Sequence, residues 1–346
     1  MCRKGVVMSL NILVTGAGST MGQSVLKALL MSKYGKEVNV HVTNSEQMGA
    51  GFFLSDRVVG RHLVPIAKDP NYLDEIIKIC KENDIQGIFS GTEHEIYALS
   101  NGAQRIKEET GAIVFLSRPE IVDLGTDKYK TYLAFKKYGL PFPETVLFDD
   151  YKSLVEITGG YPIFMKPRIA SASRNIYKIH SEEELFEKKF TDSDKIVLQG
   201  FLDSNIEYTA EAFCDKDGKV VGVIPMIRNL DYGMSYYGLI DDNPEVIEVT
   251  RKVAEALKPE GAINVQMRIV DGKAIPFEIN TRFSSTECVR AHYGFNSVEA
   301  AIDNYLYGLP IDLNNWRKGM FMRYWHECYF DEKDIPGGDF TINTIM

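Results

Sequence analysis

The chain has 346 residues, enough for two or three compact domains, and its 45% hydrophobic and 25% charged residues describe an ordinary globular protein. A net charge of -9 with no dense Lys/Arg block argues against a nucleic-acid surface, and no apolar run reaches the length of a membrane span. Five scattered cysteines without a Cys-x-x-Cys pair, and six histidines without metal-ligand spacing, argue against a disulfide framework and a zinc centre and point to a reducing, cytoplasmic setting.

From Asn11 to about Leu116, apolar strands alternate with amphipathic helices, at residues 12–14, 22–32, 38–42, 72–83, 87–90, 95–109 and 113–116. Such alternation predicts a parallel sheet covered on both faces. The first strand runs into Thr15-Gly-Ala-Gly-Ser-Thr-Met-Gly22, a turn of the kind that cradles a pyrophosphate at a helix N-terminus. Its glycines follow a Gly-x-Gly-x-x-x-Gly spacing, and Thr43-Asn-Ser45 stands where a ribose-binding acid is expected. Tyr132 and Lys136 match the Tyr-x-x-x-Lys pair of short-chain dehydrogenases, although a plain helix surface explains them as well. An NADP-dependent oxidoreductase therefore stays open as an alternative. Glu93, His94 and Glu95, at the end of a strand, face the ligand crevice by the strand-end rule.

Beyond residue 116 the pattern changes to α+β. A helix over 127–138 stops at Gly139-Leu-Pro-Phe-Pro143, and strands follow near 161–167, 176–179, 196–201, 206–214 and 220–227, with helices at 182–189 and 244–257. A last helix over 297–307 ends at Gly308-Leu-Pro310. The expected divisions are 1–116, 117–195, 196–312 and a tail, 313–346, that packs on the core.

Residues 261–283 read as a hairpin with its polar side chains on one face. Ile263, Val265, Met267 and Ile269 form the apolar face of the first strand, and Asn264, Gln266 and Arg268 the opposite one. In the return strand Ile275, Phe277 and Ile279 are the apolar set, leaving Glu278 and Asn280 on the other side. Keeping both apolar sets buried together requires an odd loop, so three residues are expected, with Gly272 at the positive-φ position. That register gathers Gln266, Glu278 and Asn280: one carboxylate and two amide oxygens, hard donors suited to Mg2+, with Mn2+ as an alternative. Arg282, one step further along that face, could neutralise a metal-bound anion.

Three stretches stand in order along the chain, the last overlapping this hairpin: Gly160-Tyr-Pro-Ile-Phe-Met-Lys-Pro167, Val197-Leu-Gln-Gly-Phe-Leu-Asp-Ser-Asn-Ile-Glu207 and Phe277-Glu-Ile-Asn-Thr-Arg-Phe-Ser-Ser285. In these motifs the chain from about Asn11 to Pro310 resembles the ATP-grasp superfamily, and especially the single-module relatives of the carbamoyl phosphate synthase large subunit. The resemblance implies a mixed α/β and α+β fold: a Rossmann-like N-terminal (pre-ATP-grasp) domain followed by a two-subdomain ATP-grasp fold. It also implies ATP as cofactor, small-molecule carboxylate and amine partners, no nucleic-acid or membrane partner, and a homodimer as in many relatives.

By the same resemblance, Lys166 matches the cation that meets the α- and β-phosphates, and Lys128 a second basic residue reaching the phosphates. Gln199, Gly200, Phe201 and Leu202 match the hinge that bonds adenine, and Glu207 the acid that bonds the ribose. Gln266, Glu278 and Asn280 match the magnesium ligands, and Arg282 the arginine that stabilises the transferred phosphoryl group. The loop Ile169-Ala-Ser-Ala-Ser-Arg-Asn175 is not glycine-rich as in relatives but keeps Ser171, Ser173 and Arg174 as phosphate donors; Gly200 and Thr281 are further departures. Arg228, Tyr232 in the aromatic stretch 231–238, Arg290 and His292 are expected to meet the substrate. The implied activity is ATP-dependent ligation of a carboxylate, such as an amino acid, to an amine, with ADP and phosphate as products. An ATP-binding regulator without turnover is the other alternative.

Overall fold

The computed structural model describes residues 10–169, 175–188, 192–231 and 233–337. The chain divides into two compact units. One runs to Leu116 and takes in Phe283–Asn315 and the chain from Tyr324 on; the other is Ser117–Arg282 with Trp316–Arg323. The sequence divisions at 116, 195 and 312 were contiguous, and these units are not.

In the first unit β1 (Asn11–Val14), α1 (Thr20–Met31), β2 (Asn39–Asn44), β3 (Val58–Leu63), α2 (Tyr72–Glu82), β4 (Gly87–Phe89), α3 (Glu93–Thr110) and β5 (Ile113–Val114) build a five-stranded sheet in the order β3-β2-β1-β4-β5. Each pairing is parallel, as the alternating pattern requires. Leu13, Ile76, Ile88, Leu99 and Ile106 form its core. Strand β3 is absent from the sequence reading, because Val58-Val-Gly-Arg-His-Leu63 is an edge strand whose burial alternates rather than a buried apolar run. The glycine turn packs on its own side chains. A Cβ on Gly16 (φ +53°) would meet Thr92 and Glu95, and one on Gly18 would meet the Asn44 amide, which already accepts from Gly18 N at 3.3 Å.

Three short elements after the second unit's hairpin return to this first unit. These are α9 (Glu287–His292), α10 (Ser297–Ala301) and a π-helical turn at Ile302–Leu306. They sit on α1: Cys288 N donates to Ser24 Oγ (3.0 Å), Asn296 Nδ2 to Ala28 O (3.0 Å), and Lys33 pairs with Asp303 (2.6 Å).

The second unit begins with α4 (Pro119–Thr126) and α5 (Lys128–Tyr138). Then come β6 (Thr145–Leu147), α6 (Tyr151–Thr158), β7 (Ile163–Pro167), β8 (Tyr177–Ile179), α7 (Glu182–Glu187) and β9 (Ile196–Gly200). The strands pair antiparallel in the order β6-β9-β7-β8 over a core of Leu154, Ile163, Met165, Leu185 and Leu198.

A larger antiparallel sheet follows from β10 (Glu207–Cys214), β11 (Val220–Ile224), β12 (Met226–Asp231), β13 (Met234–Ile240), β14 (Gly261–Val270), β15 (Lys273–Asn280) and β16 (Gly319–Met322). Its order is β15-β14-β10-β12-β13-β16, with β11 also on β10. Helix α8 (Pro244–Leu257), capped by Asn243, lays Val246, Val249, Val253 and Leu257 on the odd-numbered face of β14. Residues 234–238 of the aromatic stretch are therefore strand, since Met234–Ile240 pairs with both β12 and β16.

The central hairpin corrects one expectation and keeps its consequence. The β14–β15 connection is two residues, Asp271-Gly272, both at positive φ (+49° and +78°), as a type I′ turn needs. Near the turn Ile269 pairs with Ala274 and Met267 with Pro276; beyond it Gln266 pairs with Glu278 and Asn264 with Asn280. One extra residue, Phe277, makes up the difference as a β-bulge. The bulge, not a longer loop, restores the register that puts the polar residues together. Because a Cβ on Gly272 would meet no atom, Gly272→Ala probes backbone strain alone. It is expected to lower stability by about 1–2 kcal/mol, while Asp271→Asn leaves it within about 0.5 kcal/mol, both read by thermal unfolding.

Candidate active site

Within the second unit a cavity of about 240 Å3 opens between residues of β7, β9, β10, β12, β14 and β15. Its apolar wall is Phe164, Ile176, Leu202, Leu230 and Phe277. Its polar wall is Lys166, Gln199, Glu207, Arg228, Gln266 and Glu278, with Arg268 beside them and the Gly200 backbone at the edge. Phe201 lies next to the cavity, 5.4 Å from the Phe164 ring and under Lys178 Nζ at 4.0 Å, a cation–π contact.

Lys166 is 5% exposed at the middle of a strand pairing, opposite Val197. Its ammonium donates to Gln199 Oε1 (2.7 Å), and Gln199 Nε2 donates onward to Thr145 Oγ1 (3.0 Å). Burial pushes its pKa down to about 7; Glu278 pulls the other way, and the Lys128 charge adds to the lowering. Lys128 is itself only 6% exposed, in the first turn of α5. The α5 N-terminus is fixed by Asp127, which caps Tyr129 N and Lys130 N and pairs with Arg168 at 2.8 Å. Two buried lysines close enough to repel each other describe a site built for a polyanion.

On the sheet side, side chains of β10, β14 and β15 form rows across the strands. Thr209, Gln266 and Glu278 share one row, and Glu211, Asn264 and Asn280 the next. Gln266 Nε2 and Asn280 Nδ2 lie 3.2 and 3.3 Å from the same oxygen, Glu278 Oε1, and Arg282 donates to Asn280 Oδ1 (3.2 Å). Arg228 donates to Gln266 Oε1 (2.7 Å) and to Glu207 Oε1 (3.0 Å), whose other oxygen faces Arg268 at 3.4 Å.

This donor set fits a hard divalent cation: one carboxylate and two amides within reach of one another, with no thiolate or imidazole. Asn264 Oδ1, buried in the adjoining row, lacks a hydrogen-bond partner among the described residues, a further oxygen donor on that side. Among the described residues no group of three or more His, Cys, Asp or Glu side chains is placed to bind a metal elsewhere.

A family model described as ATP-grasp in the biosynthetic pathway with Ter operon matches residues 192–328, which include this hairpin, and one described as PylC-like, N-terminal domain matches residues 12–114. Residues 192–328 thus match an ATP-grasp family. The chain is 26% identical over 303 residues to the carbamoyl phosphate synthase large chain of Methanosarcina barkeri, covering 80% of this chain but 28% of that one. To the C-terminal section of the same large chain in Methanocaldococcus jannaschii it is 23% identical, covering 82% of this chain and 48% of the relative. The chain thus spans under half the length of these curated relatives.

Among solved structures, carboxyaminoimidazole ribonucleotide synthase from Aspergillus clavatus, complexed with ATP, superposes with a TM-score of 0.69 at 15% identity, over 91% of this chain and 81% of that one. The biotin carboxylase domain of Hydrogenobacter thermophilus 2-oxoglutarate carboxylase, with MgADP, ADP and bicarbonate, gives 0.69 at 16%, over 90% and 73%. Both likenesses establish the ATP-grasp fold.

The cavity thus brings together Lys166, Gln199, Gly200, Leu202, Glu207, Arg228, Gln266 and Glu278 from the sequence expectations, with Asn280 and Arg282 joined to it by hydrogen bonds. Ser173 and Tyr232 lie outside the described residues. Arg290 and His292 belong to the first unit. Arg290 is fully buried, donating to Ser284 Oγ at 2.7 Å, and His292 packs edge-on against Tyr293. Glu95 is buried against Thr15 Oγ1 (2.8 Å) and Thr92 Oγ1 (3.0 Å), and burial raises its pKa.

Sequence reasoning missed Phe164, Ile176, Leu230 and Phe277. Phe277 was assigned to the buried face by its odd number; the two-residue turn instead puts it on the side of Arg268 and Gln266, and the bulge then brings Glu278 to that side as well. The oxidoreductase alternative finds no support. Tyr132 belongs to a different unit from the glycine turn, its hydroxyl donates to Glu144, and burial together with Glu144 raises its pKa, the wrong direction for a catalytic tyrosine.

Between about pH 7 and 10.5 the unfolded chain holds a proton on Lys166 that the folded chain has given up, so this group makes stability rise with pH across that window. Lys166→Met removes the buried charge. It is expected to raise the melting temperature at pH 6 by several degrees, on the order of a few kcal/mol, with less than half that gain at pH 9. A variant that is destabilised at pH 6 would contradict the burial argument.

Proposed function

We propose that this chain is an ATP-dependent carboxylate–amine ligase. The observation that carries the reading is one cavity lined by Lys166, Gln266 and Glu278, with Asn280 bonded to Glu278, beside an apolar wall: groups suited to phosphate and a cation next to a surface suited to a nucleobase. The names of its relatives support the same class, since carbamoyl phosphate synthases, carboxyaminoimidazole ribonucleotide synthases and biotin carboxylases stand among them.

A carboxylate resists amide formation because it repels nucleophiles and offers only oxide as leaving group. Transfer of the γ-phosphoryl group to a carboxylate oxygen gives an acyl phosphate and ADP. Attack of an amine nitrogen on the acyl carbon then expels phosphate, and the nitrogen loses a proton. Bound to Glu278, Asn280 and Gln266, a magnesium ion would supply charge neutralisation for the phosphate oxygens. Lys166 and Lys128 would hold phosphate oxygens, and Arg282 would stabilise the group in transfer. Phe164, Leu202, Leu230 and Phe277 would exclude water from the base and from the reactive intermediate. Phosphate bound to Lys166 would draw its pKa back up, so nucleotide binding at pH 8 takes up a proton. The acid and the amine are small molecules, an amino acid being the leading choice of acid, and the setting is the cytoplasm.

Phosphate release from MgATP, screened over pools of amino acids, small carboxylates and amines, tests the reading. Release is expected only with one acid and one amine together, and Glu278→Gln should reduce it at least about 100-fold with the melting temperature kept. ATP binding without release under any pool would favour the regulator instead, and an active Glu278→Gln variant with ordinary magnesium dependence would refute the assignment.

A further inference from the structure

The two amides beside Glu278 are turned the wrong way for a cation. Their N–H groups donate to the carboxylate, Gln266 Nε2 at 3.2 Å and Asn280 Nδ2 at 3.3 Å, so their oxygens point elsewhere. Each oxygen accepts from an arginine, Gln266 Oε1 from Arg228 at 2.7 Å and Asn280 Oδ1 from Arg282 at 3.2 Å. A cation shared with Glu278 requires the opposite orientation, because an N–H group repels it. The two ends of a primary amide are nearly the same size, so Gln266 can turn over in place. Once it does, its NH2 faces the Arg228 guanidinium, donor against donor, and the 2.7 Å bond is lost. Cation coordination by Gln266 and the Arg228–Gln266 bond exclude each other.

Arg228 is held where it can respond. Its side chain is 12% exposed on β12, and Nε and NH2 both reach Glu207 Oε1, at 3.2 and 3.0 Å. Losing Gln266 leaves it tethered to Glu207 with N–H groups released toward the cavity that it lines. We propose that Arg228 is a positioning residue that gates the cation site. It keeps Gln266 in the orientation that rejects metal until an anion in the cavity takes over its guanidinium. Cation and anion binding are thereby coupled through one amide flip, and by linkage the coupling is reciprocal. This inference rests on the cation site proposed above.

Mn2+ titration followed by the free-ion EPR signal tests it, on the full chain, with and without ADP, in the unaltered protein, Arg228→Met and Arg268→Met. Arg268 carries the same charge beside Glu207, but its recorded bonds go to Glu207 and to Leu202 O, not to Gln266. Without ADP, Arg228→Met is expected to bind Mn2+ about fivefold or more tighter than the unaltered protein, a gain that structural damage does not produce. ADP should then strengthen Mn2+ binding less in that variant than in the unaltered protein. Arg268→Met should stay within about twofold of the unaltered protein. The gate is overturned if Arg228→Met binds no tighter while the unaltered protein binds Mn2+ normally, or if Arg268→Met tightens binding equally, which would mean a field effect alone. An unaltered protein that binds no Mn2+ even with ADP removes the cation site itself, and the gate with it, a result distinct from the other two.

Discussion

A two-residue turn and an odd-number register cannot share one hairpin unless a residue is inserted, and the rest of the site depends on how this hairpin meets that constraint. Asp271 and Gly272 close the turn tightly, while the apolar face under α8 demands Val265 opposite Ile279. The bulge at Phe277 satisfies both. It aligns Gln266 with Glu278 and Asn264 with Asn280 while leaving Phe277, which the tight turn has already put on that side, in the cavity wall. Packing on one side of the sheet thus dictates the chemistry available on the other.

Charge is arranged with the same economy. Lys166 is buried beside Lys128, Arg228 and Arg268 bracket Glu207, and Arg282 reaches Asn280. Cationic groups outnumber the carboxylates that line the cavity, Glu207 and Glu278. An excess of positive charge in a cavity with an apolar wall is costly without an anionic occupant. On the proposed reading a bound polyphosphate would offset that cost, the usual trade between stability and function.

Much of this was legible in the sequence because it depends on local pattern. The alternation through residue 116 specifies the parallel sheet, and the polar face of residues 264–282 specifies the candidate cation group. What was not legible depends on partners far along the chain. Edge strand β3 shows only alternating burial, and β13 looked like an aromatic loop because its partners, β12 and β16, flank it at very different distances in sequence. Phe277 was misassigned because the parity count took a three-residue loop where the chain turns in two. Arg290 looked available beside a substrate, yet its burial with Ser284 and Glu287 is a tertiary fact that a helix-surface pattern does not reveal.

The first unit is stitched from separated stretches of chain. Helix α1 finishes at Met31, whereas the segments that cover it, Glu287–His292 and Ser297–Ala301, come after the whole central hairpin. A chain emerging from the ribosome amino end first holds the partners of Ser24 and Ala28 only after the whole central hairpin has been made. The sheet of β1 to β5 is therefore fully covered only after residues 117–282 of the second unit have been made. Growing chains of this protein carry an unfinished first unit at least until Ala301 has been added.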